Sequence, residues 1–421
     1  MSNSLPFGVL PSKWRVERLD HLFRVIKEEA RIDDEPVSAF IDGTVTLRSN
    51  RPDAIIKGSG QEIGYKHLEK GDLVISGMNA HLGGLGISDN AGKCTPVYTI
   101  LRKTQDLDER FISYYLWHSA KSGYIKSLVN AVRYNSADFG PETVKNFLVP
   151  VPPIEDQIRI ANFLDLQTKT IDSITNQKLK IQRLLIEAFQ AEFTKVFGHP
   201  FFSINNNSES RRLGPCLLAN DGGVWGEEAV GSGDDIVLRS TEISQRGYWR
   251  ELNNAAYRKL DEKEATKSRL LLNDILVTKA SGSADHIGKA AIVTEEIAEM
   301  KACFGNFMQR IRVNPTIYLP TYVHYFLKSL NAKSQFNYLG TTSTGLMNIS
   351  AELLNNLRIP IAALNEQEKV ISSLNEIEKD FEKKLDLMDQ SISKFVEYKS
   401  SLITSAVTGT FDVLSTGRIA S

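Results

Sequence analysis

Side chains able to do chemistry occur throughout this chain, but not in a working set. Gly282 to Lys289 resembles a phosphate-cradling loop. However, five residues rather than four separate Gly282 from Gly288, and Ala290 stands where a Mg²⁺-binding Ser or Thr is needed. Gly83-Gly84-Leu85-Gly86 lacks the strand–GxGxxG–helix setting of a dinucleotide site. The histidines, His21, His67, His81, His118, His199, His286 and His324, are scattered without HExxH spacing, so no metal site is expected. No GxSxG elbow is present. The Glu-x-Lys strings Glu382-Lys383-Lys384 and Glu397-Tyr398-Lys399 fall in a helical stretch, where they read as solvated charges rather than a nuclease centre. Asn314-Pro315-Thr316 does not supply the Asn-Pro-Pro-Phe type motif of amino-methyltransferases. Cys94, Cys216 and Cys303 are too few for a four-cysteine zinc site or a disulfide scaffold. The expectation is a chain that catalyses nothing itself and needs no cofactor or metal of its own.

The bulk properties are those of a globular protein. Of 421 residues, 42% are hydrophobic and 24% charged, with 50 Lys+Arg against 51 Asp+Glu and a formal net charge of −1. A polybasic binder is excluded, a local basic patch is not. The start, Met1-Ser2-Asn3-Ser4-Leu5-Pro6, lacks a signal-peptide pattern, and no apolar run reaches the ~18 residues of a membrane helix. A cytoplasmic, reducing setting is expected.

The elements that position these residues come in two copies. Gly71-Asp72-Leu73-Val74-Ile75-Ser76 recurs as Asn273-Asp274-Ile275-Leu276-Val277-Thr278. Phe111-Ile112-Ser113-Tyr114-Tyr115-Leu116 recurs as Tyr322-Val323-His324-Tyr325-Phe326-Leu327. Val149-Pro150-Val151 recurs as Ile359-Pro360-Ile361, with Gln157 and Gln367 in the same frame. Within each copy, Leu73–Ile75 and Ile275–Val277 read as buried strands, and Arg110 to Ser119 and Thr321 to Leu330 as aromatic-rich helices.

After each proline boundary the pattern becomes that of a long helix. Ile160, Leu164, Gln167, Ile171, Ile174, Lys178, Ile181, Leu185 and Ala188 alternate in steps of four and three; adding 210 gives Val370, Leu374, Ile377, Phe381, Lys384, Met388, Ser391, Phe395 and Tyr398. Seven of the nine positions are apolar in each set, which predicts two helices sharing a seam for about four heptads. They should run from near Ile154 to Phe197, stopping at Gly198-His199-Pro200, and from near Asn365 to Thr408, stopping at Gly409. About forty residues make a rod of roughly 60 Å. The fold class is therefore α+β: two tandem α/β domains separated and joined by two long helices in an antiparallel coiled coil, with pseudo-two-fold symmetry. The divisions are residues 1–150, first head; 151–200, central spacer helix; 201–360, second head; 361–410, distal spacer helix; and 411–421, C-terminal tail.

Two similar heads on a rod form a caliper, suited to half-sites that recur on one face of DNA about every 34 Å. Residues 1–150 carry 19 basic and 18 acidic side chains, residues 201–360 carry 18 and 17, and the last 61 carry 7 and 10. So small an excess in the heads cannot hold DNA by counterion release alone, and partners must share the grip.

Leu10-Pro11-Ser12-Lys13-Trp14 resembles the Leu-Pro-x-x-Trp opening of specificity subunits of type I restriction–modification systems. Gly71–Ser76 is similar to their Gly-Asp-hydrophobic strand. The run Val149-Pro150-Val151-Pro152-Pro153-Ile154-Glu155-Asp156-Gln157-Ile158-Arg159-Ile160-Ala161-Asn162-Phe163-Leu164-Asp165 resembles the family's strongest signature. The second copy departs from it, with Ala362-Ala363-Leu364-Asn365-Glu366-Gln367 replacing the Pro-Pro-x-x-x-Gln core.

The resemblance implies that each head is a target recognition domain reading one half of a split, asymmetric double-stranded DNA sequence. It implies that the paired helices fix the gap and dock DNA adenine methyltransferase subunits, typically two, and that motor-nuclease restriction subunits join a hetero-oligomer of bacterial defence. S-adenosylmethionine, ATP and Mg²⁺ would then be used by those partners. DNA-facing candidates lie in polar loops at equivalent places: Asn79 and His81 after the first strand; Lys279, Ser281, Ser283 and His286 after its counterpart; Arg133, Tyr134 and Asn135 before one proline boundary; Thr341, Thr342, Ser343 and Thr344 before the other. Asn pairs with adenine and Lys reaches guanine or phosphate; Lys93, Lys289 and Arg133 are phosphate candidates. Two other functions fit parts of the pattern: a coiled-coil scaffold without DNA readout, and a diverged stand-alone DNA methyltransferase.

Overall fold

The computed structural model describes residues 8, 10–51, 63–128, 131–133, 136–137, 139–198, 210–231, 234–280, 286–340 and 348–411, the side chains of 131–137 excepted. The chain forms two compact units. One comprises residues 1–179 and 389–421, the other residues 180–388. Each long helix, Ile154–Phe197 and Leu364–Val407, therefore contributes to both units.

In the first unit a four-stranded antiparallel sheet has the order Phe23–Ile26, Tyr98–Lys103, Leu73–Ser76, Leu85–Ile87. Its strand Leu73-Val74-Ile75 is buried on both faces, which explains a continuous apolar run where a half-exposed strand would alternate. Leu73 and Ile75 face Phe111, Tyr115 and Leu116 of the helix Glu109–Lys121. Val74 faces Val37, Val45, Leu68 and Cys94, carried by two small antiparallel pairs, Val37–Ala39 with Val45–Leu47 and Lys66–Leu68 with Gly92–Cys94.

The second unit repeats the sheet in the same order: Leu217–Gly222, Met308–Val313, Ile275–Thr278, Ala290–Ile292. Ile275 and Val277 face the helix Pro320–Lys328, while Leu276 faces a separate cluster with Leu238, Ile243 and Phe304. Here one four-stranded sheet, Glu227–Glu228, Ala256–Lys259, Asp235–Leu238 and Cys303–Phe304, replaces the two small pairs. The helix expected to reach Leu330 ends at Lys328. Ser329 turns extended (ψ 156°), and its hydroxyl accepts the Ala332 N–H (3.2 Å), capping a new helix, Leu330–Gly340.

The repeated Gly/Asn-Asp pair has a shared physical cause. Gly71 and Asn273 both take left-handed backbone (φ 92° and 69°) and turn the next carboxylate inward. Buried Asp72 accepts from Arg102 Nε (2.8 Å) and Nη2 (2.7 Å) and from the Glu69 N–H (2.8 Å). Buried Asp274 accepts from Arg312 Nε (2.7 Å) and Nη2 (2.8 Å) and from the Leu271 N–H (2.9 Å). In each head the bridge ties the start of the strand Leu73–Ser76 or Ile275–Thr278 to its sheet neighbour.

The long helices run antiparallel where both enter the first unit: Phe163 lies by Phe411, Asp172 binds Lys399 Nζ (2.7 Å), and Lys178 Nζ sits over Phe395. In the second unit Phe189 stacks flat on Phe381, 4.1 Å between centroids. Of the seam positions, Ile160, Leu164, Ile171, Leu374 and Phe381 are buried, and Ile174, Leu185, Val370, Ile377, Met388 and Phe395 are half-buried. Ile181, expected on the seam, is instead 47% exposed. The inward positions step 178, 182, 185, 189 and 193, so near the 3.6-residue helix repeat the stripe drifts one residue past a strict heptad count. Likewise Tyr398 is exposed and Lys399 turns inward, and Leu385 is buried in place of Lys384.

We predict that Arg312→Leu, by leaving buried Asp274 with only the Leu271 N–H (2.9 Å) and the Arg310 guanidinium at 3.9 Å, lowers unfolding free energy in urea by about 3 kcal/mol. The double replacement Asp274→Leu/Arg312→Leu should cost less than Arg312→Leu alone; equal or greater loss would contradict this account of the bridge.

Candidate nucleic-acid interface

The faces that could read DNA depend on how each head is fastened to its helix. The first helix begins at Pro153, whose carbonyl accepts the Asp156 N–H (2.9 Å) and Gln157 N–H (3.1 Å). Buried Gln157 then spans two elements. Its Oε1 accepts the Asp108 N–H at the head of the helix Glu109–Lys121 (3.0 Å), and its Nε2 donates to Pro152 O (2.8 Å). Gln367 does the same: its Oε1 accepts the Leu319 N–H (2.8 Å), and its Nε2 donates to Ala362 O (2.9 Å) and Ile317 O (3.0 Å). Ala363 O takes the part of Pro153 O, accepting Glu366 N–H and Gln367 N–H. The divergent second copy thus keeps the geometry through the glutamine, which outlasts the prolines.

Further bonds bind head to rod in each unit. The Tyr114 hydroxyl donates to Asp165 (2.8 Å), and Arg110 Nη1 pairs with the same carboxylate (2.6 Å). The Tyr325 hydroxyl sits within hydrogen-bond reach of both Asn375 and Glu378, and Lys328 pairs with Glu378. In the second unit Phe189, Phe193 and Phe197 extend an aromatic stripe into the head, with Phe193 on Tyr325 and Phe197 on Tyr322. These phenylalanines are spaced by four residues in the chain, which departs from the four-three alternation of the seam. In the first unit His118 Nδ1 bonds the Thr404 hydroxyl (2.9 Å), and burial holds the imidazole down to about 4. His324 is likewise held to about 4, with Nε2 donating to Ala290 O (3.1 Å). Both histidines therefore read as neutral packing groups.

The loop after the strand Leu73–Ser76 is tightly braced. The Asn79 N–H donates to Ser76 O (3.2 Å), and Asn79 O accepts the Leu82 and Gly84 N–H groups (3.0 and 2.9 Å). Asn79 and His81 are half-buried, and Lys93 lies half-buried on the strand Gly92–Cys94. In the second head, half-buried Lys279 follows the strand Ile275–Thr278, and His286 Nε2 lies 3.1 Å from Gln245 Nε2. Lys289 does not fit the phosphate role expected of it. Its side chain is buried, and its ammonium donates to Ser240 O (2.9 Å) and Ile243 O (2.7 Å), with burial lowering its basicity. A cation enclosed by two carbonyls is a structural tie. Arg133 belongs to the strand Ala131–Arg133. Tyr134, Asn135, Ser281, Ser283, Thr341, Thr342, Ser343 and Thr344 lie outside the described residues.

Among the described residues no group of His, Cys, Asp and Glu could hold a metal ion, and no helix is long and apolar enough to cross a membrane.

Two sheets of one topology, each clamped through a glutamine to paired long helices, define the architecture of a two-headed recognition protein. The model of the type I restriction modification DNA specificity domain matches residues 11–183 and again 234–387, so the chain belongs to that family. It is 22% identical over 278 residues to the type I restriction enzyme StySPI specificity subunit of Salmonella potsdam, covering 64% of this chain and 59% of that protein. It is 23% identical over 398 residues to the putative type I restriction enzyme MjaX specificity subunit of Methanocaldococcus jannaschii, covering 88% of each. A chain from a solved structure concerned with complex assembly and conformational transition of the type I R-M system superposes with a TM-score of 0.65. It shares 15% identity and covers 96% of this chain and 100% of its own. At that identity the likeness shows the fold.

Lys279→Ala should weaken DNA binding of the assembled complex across sequences and reduce the slope of log affinity against log salt by about one. Lys289→Met should lower the thermal midpoint and leave that slope unchanged; a reduced slope in Lys289→Met would place its ammonium on phosphate.

Proposed function

We propose that the two heads read the two halves of a split, asymmetric duplex sequence, and that the paired helices set the gap while docking DNA adenine methyltransferase subunits, two to each chain. The observation that carries this reading is the doubling itself. One sheet order, one Asp–Arg bridge and one glutamine clamp occur twice, with different side chains on the loops. A repeated framework with divergent loops suits two different half-sites. The near balance of charge in the heads leaves much of the phosphate grip to partners.

In this reading the chain is the non-catalytic member of a cytoplasmic complex with methyltransferase and motor-nuclease subunits. Those partners use S-adenosylmethionine, ATP and Mg²⁺, and this chain supplies the address. The relatives' names, as restriction enzyme specificity subunits, support the assignment.

Co-expression with its methyltransferase subunit, followed by mapping of methylated adenines, tests the proposal. One split motif with a fixed gap is expected, and scattered or absent methylation would sink it. Inserting seven residues after Ile174 should change the gap or abolish methylation while leaving both half-site sequences intact. Altered half-sites would show that the heads do not read independently of the rod.

A further inference from the structure

Gly77 and Lys279 occupy one place in the two heads. The Gly77 N–H donates to Val97 O (3.1 Å), and Gly77 O accepts the Phe139 N–H (3.2 Å). The Lys279 N–H donates to Phe307 O (2.9 Å), and Lys279 O accepts the Ile349 N–H (2.9 Å). The backbone lattice is shared, and the side chains standing on it are not: Gly and Val in the first head, Lys and Phe in the second. Framework that is kept while its projecting side chains change is what a pair of readers for two different half-sites requires.

Phe307 is 60% exposed and Val97 is 48% exposed, the larger side chain being the more exposed. Single exposed apolar residues are common and signify nothing alone. Phe307 differs in being fixed in place. Phe304 and Met308 on either side of its turn are fully buried, the Met308 N–H donates to Gly305 O (2.9 Å), and the Lys279 bond holds Phe307's own carbonyl. The ring is therefore presented outward by a rigid turn beside a lysine. Next to it, the Lys279 ammonium lies over Gly222, where a Cβ would stand 3.9 Å from Nζ and 3.7 Å from Gln309 Oε1. An aromatic ring and an ammonium together suit a base edge: apolar contact with a thymine methyl, and a donor for guanine or phosphate beside it.

We propose that Phe307 is a base-contacting, specificity-determining residue of the second head, its ring packed on a thymine methyl group, with Val97 as its smaller counterpart in the first head. This rests on the reading of the heads as DNA readers. The test uses the complete complex with its methyltransferase, comparing methylated adenines for the unaltered chain, Phe307→Ala and Phe307→Leu. Phe307→Ala should keep the first half-site and the gap, and accept another base at one A·T position of the second half-site, losing about tenfold discrimination there. Phe307→Leu should retain part of it, and the thermal midpoint should move little in either. Unchanged discrimination at both half-sites in Phe307→Ala overturns the proposal, as does unchanged discrimination with weaker methyltransferase assembly, which would place the ring against protein. Failure of the unaltered chain to give a split motif would instead overturn the reading of the heads.

Discussion

Everything outward of the long helices depends on one side-chain amide in each half. Gln157 and Gln367 are buried, and each satisfies both ends of its amide on backbone groups from two elements. A buried amide left half-paired costs on the order of 1–3 kcal/mol, so the head and the helix start are held in the one arrangement that pairs it fully. Hydrophobic packing between head and rod supplies more free energy but tolerates sliding. The glutamine supplies the register, and through it the orientation of every loop carried by the sheet.

Contacts among Pro11, Trp14 and Gly409 add to the same joint in the first unit. Gly409, just past the second long helix, has φ 74°, and a Cβ there would meet Pro11 at 2.5 Å. Trp14 stands edge-on to Phe111 at 5.7 Å, and its backbone N–H donates to Pro11 O (2.9 Å). The Leu-Pro-x-x-Trp segment thus seals the first head against the far end of the second helix. Gly198, with φ 80°, ends the first helix in the same left-handed way.

Much of this framework is legible in the chain because it rests on short-range rules. Strands buried on both faces must be continuous apolar runs, and the paired helices declare themselves by four-three spacing. The repeat pairs Asp72 with Asp274 and Gln157 with Gln367 in the chain itself. What those residues bind was not legible, since Arg102, Arg312, Asp108 and Leu319 are brought to them only by folding. The exposure of Ile181 has the opposite origin: the natural period of the helix is slightly longer than a heptad's 3.5 residues. Loop chemistry was least legible. Lys289 has the charge and position of a phosphate ligand, and only the carbonyls of Ser240 and Ile243, over forty residues away, reveal it as a tie. Phe307 gave no signal, because an isolated Phe in a turn has no pattern to stand out from.

The division of the long helices between two units has a consequence for the order of assembly on the ribosome. Residues 180–388 form a continuous stretch, so the second unit can close as soon as it has emerged. The first head cannot, because Leu402, Ile403, Ala406 and Val407 belong to the same core as Phe111, Tyr115 and Leu164. Until residues 389–407 emerge, its apolar face waits for the second long helix, exposed to chaperones and to wrong partners. Of the two units, the one whose residues emerge first closes second.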